Sequence, residues 1–326
     1  MPVVNAAYVD SLKAYDYSQF LEYVQPYTAS ADLAVVNLEV PLAGQPYSGY
    51  PQFSSPGALA EGLKKNGFNI FITANNHCLD RGKEGLEHTL QTLDSFNIPH
   101  TGSFRDSIEQ QKFNPLIVEK NKFRIAILNY TYGINGFRPK APNIVNVIDT
   151  VKISQDIKYA KSKVVDFVIV TLHWGNEYQR TPSKEQYVVG EFIRRCGADA
   201  VIGSHPHVVQ PVDLLRNVQD STDYFPVVYS LGNFVSNQRD HYRDGGIIFE
   251  IELERVTNTK VKAVRYLPIW VYKGIIHNKM GYRLIPPFMF DNAVKELGIG
   301  EADRLKYKEF YDDTRILLKN IQEAIP

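Results

Sequence analysis

Phe167-Val-Ile-Val-Thr-Leu-His173-Trp174-Gly175 and Ala200-Val-Ile-Gly203-Ser204-His205-Pro206-His207 share one construction: a short β-branched apolar run that ends directly on imidazoles. Runs of that length and composition read as strands buried on both faces. Open α/β sheets collect their ligand sites at the carboxyl ends of strands. Two earlier stretches repeat the pattern, Asp32–Asn37 running into Leu38-Glu39 and Ile70–Ala74 into Asn75-Asn76-His77. Four strand ends therefore carry groups able to bind a metal, and their convergence on one crevice carries more weight than any single residue.

Further extended runs fall at Phe123–Asn129, Val227–Ser230, Gly246–Leu253 and Lys260–Ile269. Helical patterns separate most of them, at Phe20–Thr28, Gly57–Asn66, Lys83–Phe96, Ile153–Ser162 and Ser183–Arg195, the last followed by Gly197 as a glycine C-cap. The rhythm predicts an α/β protein. Residues Gly245–Leu253 and Lys260–Ile269 read as an antiparallel hairpin, Glu301–Ile325 as a terminal helix, and Arg283–Gly300, with Pro286-Pro287, as an irregular excursion. One principal domain over residues 1–270 is expected, with 271–326 as a C-terminal extension whose helix packs on it.

Thirty-six basic residues balance thirty-six acidic ones in 326 residues. No run of like charge marks a nucleic-acid footprint or a polybasic membrane patch, so nucleic acid is excluded as the expected partner. Cys78 and Cys196 stand far apart without CxxC spacing, which argues against a disulfide framework and a structural zinc module. The first residues lack a basic segment followed by an apolar one, and no apolar run is long enough to span a bilayer. The chain as it stands is expected to be soluble.

Each candidate has an ordinary alternative. His205 and His207, with Pro206 fixing φ between them, are expected on an extended loop facing a common point, or form a polar turn. His173 is a ligand or a satisfied core histidine, and Glu39 a bridging carboxylate or a surface residue before Pro41. Asn76 would offer its amide to the metal and leave His77 as general acid. Asp80 either caps the following helix or orients His77. Tyr130 and Tyr132, beside the Asn135-Gly136 turn, and Asn233 and Asn237, in the loop from Tyr229, are expected to bind an extended polar substrate or merely to pack. Mixed carboxylate, amide and imidazole ligation suits Mn²⁺, Fe²⁺ or Zn²⁺, and a binuclear site would use Glu39 as its bridge.

Five ordered motifs then make a resemblance specific: Asn37-Leu-Glu39; Thr73-Ala-Asn-Asn-His77 with Leu79-Asp80-Arg-Gly82; Leu172-His-Trp-Gly175; Val201-Ile-Gly-Ser-His-Pro-His207; and Tyr229-Ser-Leu-Gly-Asn-Phe234. Over roughly residues 1–270 the chain resembles the bacterial capsule-synthesis CapA family, connected with poly-γ-glutamate and similar to calcineurin-like metallophosphoesterases. The resemblance implies a mixed-sheet sandwich flanked by helices, with Glu39, Asn76, His173, His205 and His207 as metal ligands and His77 as the catalytic imidazole. It also implies a first strand ending in Gly-Asp, followed by a His, which is expected to be missing here together with an Asp ligand. Ser204 stands where a bulkier polar residue is usual.

The expected function is a metal-dependent hydrolase acting on a phosphoester or a γ-glutamyl-type bond in cell-envelope polymer metabolism. A noncatalytic accessory of polymer synthesis or export and a generic metallophosphodiesterase are the rivals. Expected partners are an anionic polymer or phosphoester substrate, membrane components of a capsule synthase and a second copy of the chain. The resemblance places relatives at the cell envelope or its outer face.

Overall fold

The computed structural model describes residues 2–255 and 257–324. Strands β1 (Val35–Asn37), β2 (Ile70–Ile72) and β3 (His100–Thr101) form a parallel sheet in that order. β4 (Leu116–Lys120), β5 (Phe123–Thr131), β6 (Phe167–His173), β7 (Ala200–Ser204), β8 (Val212–Arg216) and β9 (Tyr224–Val228) form a six-stranded sheet in the order β8-β9-β7-β6-β5-β4. Its four central strands are parallel and its two edges antiparallel. A third sheet holds β10 (Gly245–Arg255), β11 (Thr259–Ile276), β12 (Lys279–Ile285) and the short parallel β13 (Gln322–Glu323).

The six-stranded sheet has a helix face and a sandwich face, and the period of two decides which side chain goes where. Ala126, Leu128, Tyr130, Val168, Val170 and Leu172 pack on α3 (Thr150–Ser162) and α4 (Lys184–Cys196). Ile125, Ile127, Phe167 and Ala200 face the other way and meet Ile70, Ile72 and Val261. Beyond that second layer, α1 (Ala58–Lys65) and α2 (Gly82–Ser95) cover Phe71, Leu267 and Ile269 through Leu63 and Leu93. The result is a layered α/β/β/α sandwich, each fully buried aliphatic or aromatic side chain contributing roughly 1.5–3 kcal/mol.

Helix α4 forms as its sequence directs: Ser183 and Gln186 close a capping box, and Gly197 takes φ 90° at the C-cap. Three expectations are corrected. The helix expected at Phe20–Thr28 is a 3₁₀ turn, Ser18–Phe20, and a short helix, Gln25–Ser30, with Pro26 in its first turn. The supposed excursion contains the end of β12 and α5 (Phe290–Leu297). The terminal helix α6 (Glu301–Leu317) stops at Leu317, after which β13 pairs with Arg265 and Tyr266; Ile325 lies outside the described residues. β11 runs unbroken through residue 270, and Phe290, Tyr307 and Phe310 pack against its Trp270 and Tyr272. The segment after 270 therefore continues the third sheet and its cover.

Candidate metal centre

Register brings the candidate ligands together. His173 pairs with Thr131 on one side and with Ser204 on the other, so β5, β6 and β7 end level. In the neighbouring sheet Asn37 pairs with Ile72, which levels the ends of β1 and β2. The two sheets are tied at this point by the Ala74 amide, which donates to Asn129 Oδ1 at 2.7 Å, while Asn75 Nδ2, donating to Leu38 O at 2.8 Å, joins the ends of β1 and β2.

His205 and His207 sit in the loop leaving β7 with φ 101° and 59°. The loop is therefore not extended, contrary to expectation: the residues on either side of Pro206 both take the left-handed side of backbone space. Such strain in non-glycine residues persists only where surroundings over-determine it, and it gathers at functional sites. Here the Tyr178 amide donates to Pro206 O at 2.7 Å and the Trp174 amide to Ser204 O at 3.0 Å.

All five sequence-predicted ligands meet. His173 Nε2 lies 2.9 Å from Asn76 Oδ1 and 3.5 Å from Glu39 Oε1, and His207 Nε2 lies 3.8 Å from that same oxygen. Glu39, His205 and His207 each offer one ligand atom, all within 4.8 Å of one another. Two atoms bound ~2.1 Å from one ion stand ~3.0–3.4 Å apart, so the Glu39 separations are long for hydrogen bonds and close to those of shared ligation. Glu39 Oε1 and His205 Nδ1 are buried without a hydrogen-bond partner, as is Asn37 Oδ1. Buried acceptors left open in this way are rare, and a divalent cation would satisfy them. The donor set of carboxylate, amide oxygen and imidazole fits such an ion.

Electrostatics agree. Burial lowers the His173 pKa well below the ordinary value, with His205, His207 and His77 adding to the effect. Burial, then His207 and His77, pushes His205 down to about 4. These imidazoles are thus held neutral, the form that can ligate a metal. Burial raises the Glu39 pKa, while His207 and His77 pull the other way. A cation at the cluster would favour its carboxylate form.

Beside the cluster, His77 Nδ1 lies 2.8 Å from Asp80 Oδ2. Of the two readings of Asp80, the geometry supports the orienting one, since α2 begins at Gly82 and has no side-chain cap. Asn135, which sequence reasoning treated as part of a turn, accepts from Asn76 Nδ2 at 3.3 Å and places its own amide nitrogen 3.4 Å from His77 Nδ1. Asn37 was likewise unassigned; its Nδ2 donates to Glu39 Oε2 at 3.1 Å. Its place at the last position of β1, two residues before Glu39, is the signal that could have found it.

The predicted substrate residues divide. Tyr132 is 45% exposed, with its ring centroid 4.6 Å from that of His205. Tyr130 is fully buried on the helix face and its hydroxyl donates to Asp156 at 2.8 Å, which removes it from any substrate surface. Asn233 accepts from His207 Nδ1 at 3.0 Å and donates to Gln238 and the Arg243 carbonyl, so it orients the His207 ring. Asn237 accepts from Lys273 and Tyr282 of the third sheet, and its assignment to the crevice is corrected accordingly.

The sandwich, two mixed-sheet layers covered by helices, has the calcineurin-like fold. Superposition on the NAD nucleotidase of Haemophilus influenzae gives a TM-score of 0.51 at 12% identity, covering 91% of this chain and 61% of that one. The chain belongs to the family described as bacterial capsule synthesis protein PGA_cap, whose match spans residues 3–238. It is 31% identical over 226 residues to the PGA biosynthesis protein CapA of Bacillus subtilis (strain 168), covering 67% of this chain and 56% of the relative. It is 28% identical over 227 residues to the capsule biosynthesis protein CapA of Bacillus anthracis, covering 66% and 53%. The chain thus spans about half the length of these curated relatives. Among the described residues no helix is long and apolar enough to cross a membrane.

Proposed function

We propose that this chain is a metal-dependent hydrolase of envelope-polymer metabolism, cleaving a phosphoester or a γ-glutamyl-type amide. The observation that carries the reading is the meeting of Glu39, Asn76, His173, His205 and His207 around buried acceptors without partners. These five would hold the metal, which when bound supplies an activated water and stabilises developing negative charge on the substrate oxygens. Asn233 and Asn37 fix the orientation of His207 and Glu39. His77 delivers a proton to the leaving group, and Asp80 holds the ring by Nδ1 and stabilises the imidazolium before that transfer. Tyr132, at the rim over His205, packs against the bound substrate.

The names of the Bacillus relatives, capsule biosynthesis and PGA biosynthesis, support a capsule polymer as the material handled; on this reading the polymer is anionic, the partner is a membrane-bound synthase and the place is the cell envelope. Metal content of the purified protein, with hydrolysis of a chromogenic phosphodiester and of γ-linked glutamate oligomers before and after chelation, tests the reading. Expected is bound divalent metal and turnover abolished by chelation and restored by Mn²⁺ or Zn²⁺. Metal binding without turnover of either substrate would instead make the chain a noncatalytic accessory.

A further inference from the structure

The loop over residues 44–55 reaches the catalytic imidazole from outside the metal cluster. It closes on itself through paired amide bonds between Ser48 and Ser54, at 3.0 and 3.1 Å, and through Ser54 Oγ, which donates to Gly44 O at 2.8 Å. It is anchored by Arg81, whose guanidinium donates to Pro46 O at 3.0 Å and Ser48 Oγ at 2.8 Å. Arg81 directly follows Asp80, so loop and dyad share one mooring. From this frame the Phe53 amide donates to Asp80 Oδ2 at 2.9 Å, the same oxygen that receives His77 Nδ1 at 2.8 Å. The Phe53 ring then stands edge-on to the imidazole, with centroids 4.7 Å apart and planes at 81°.

We infer that Phe53 is a positioning residue for His77, its amide fixing the Asp80 carboxylate and its ring fixing the plane of the imidazole. The inference rests on the reading of His77 as the catalytic group. Two donors on one oxygen lock the carboxylate rotamer. That rotamer selects the Nδ1–H tautomer of the neutral ring and leaves Nε2 to exchange a proton with the substrate. The edge-on phenyl adds an orientation-dependent contact, which a ring of the wrong tilt forfeits. None of these contacts involves a metal ligand, so the loop can be altered without disturbing ligation.

The test compares Phe53→Ala, Phe53→Leu and Phe53→Tyr in the full chain, with the chromogenic phosphodiester as substrate. Expected for Phe53→Ala is kcat lower by about 10–100-fold, the range for a misplaced catalytic group, with KM and metal content unchanged. Phe53→Tyr recovers most of the loss and Phe53→Leu little of it. In a His77→Ala background Phe53→Ala costs nothing further, because the two residues act through one group. An unchanged kcat, an additive loss in that background, or a parallel loss of metal would each overturn the inference. Should the unaltered protein bind metal yet turn over no substrate, the catalytic reading fails on its own. NMR relaxation of the His77 ring then still decides on Phe53: a ring held rigid in the unaltered protein and mobile in Phe53→Ala supports positioning, and identical mobility refutes it.

Discussion

His173 Nε2 lies 2.9 Å from Asn76 Oδ1, across 97 residues of chain and the gap between two sheets. Both atoms belong to the predicted ligand set, so their contact measures how closely β2 and β6 end together. With metal bound, each would turn its lone pair to the ion, and the direct contact would be replaced by shared ligation. Because the unfolded chain has no such cluster, an ion held here stabilises the fold by mass action, by ~2.7 kcal/mol at one hundred times Kd. The melting temperature should therefore rise with added Mn²⁺ or Zn²⁺ in the unaltered protein and rise much less in His173→Ala and Asn76→Ala. An equal rise in all three proteins would place the ion elsewhere.

His77→Ala should keep the fold and the metal and lose about 10²–10⁴-fold in turnover, the usual contribution of a general acid. Asp80→Asn should lose less, since the amide preserves shape but presents Nδ1–H with a weaker acceptor. Kinetics paired with metal analysis separate the cases. Joint loss of metal and activity in His77→Ala would move His77 into the ligand set.

Much of this was legible in advance because parallel central strands are apolar on both faces and announce themselves as runs, each ending on a ligand. What escaped has physical causes. Leu116–Lys120 and Val212–Arg216 are edge strands with mixed polarity, so no run marks them. The Phe290–Leu297 helix follows two prolines that read as a break, although Pro287 begins a 3₁₀ turn that leads into it. Tyr130 was misread because proximity to a strand end was allowed to outweigh alternation. Ala126 and Leu128 already put the even positions of β5 toward the helices, whereas Tyr132 lies beyond the strand, where that alternation no longer binds.

That distinction between neighbouring tyrosines is measurable. Tyr130→Phe removes one donor from Asp156, which keeps Asn114 and Lys152 as partners, and should cost about 1–2 kcal/mol in urea unfolding without changing KM. Tyr132→Ala should leave stability nearly unchanged and raise KM. The opposite pattern would restore Tyr130 to the substrate surface.

Acid should weaken the metal-free fold through His205. Its folded pKa is pushed down to about 4, mainly by burial, against an unperturbed value near 6.5. The unfolded chain therefore binds the proton first, and the stability linked to this group is complete above about pH 6.5 and is lost as pH falls toward 4. In chelator, the urea midpoint should fall across that window, and less steeply in His205→Gln. Identical slopes in the two proteins would show that His205 is not held neutral by the fold.

Gly203 tests whether the ligand loop depends on close backbone packing. It is the fourth residue of β7 and lies two positions before His205. A Cβ there would stand 2.1 Å from Tyr229 O and 2.4 Å from Trp174 Nε1, the two atoms joined by a 2.9 Å hydrogen bond. Neither can give way cheaply: one is backbone, and the other belongs to an indole buried in the core under α4. The Leu231 amide also donates to Gly203 O at 3.0 Å, so relief by backbone shift would loosen the loop that follows. Gly203→Ala should cost about 1–3 kcal/mol, as overpacking does, and should weaken metal binding because any displacement passes directly to His205 and His207. Ser204→Ala is the control. It removes only the hydroxyl 3.3 Å from His173 Nδ1 and adds no bulk, so it should spare stability. Thermal unfolding and metal titration of both variants decide the matter: a Gly203→Ala protein as stable and as metal-competent as Ser204→Ala would mean that the turn after β7 tolerates movement and that the histidines are placed by something other than this contact.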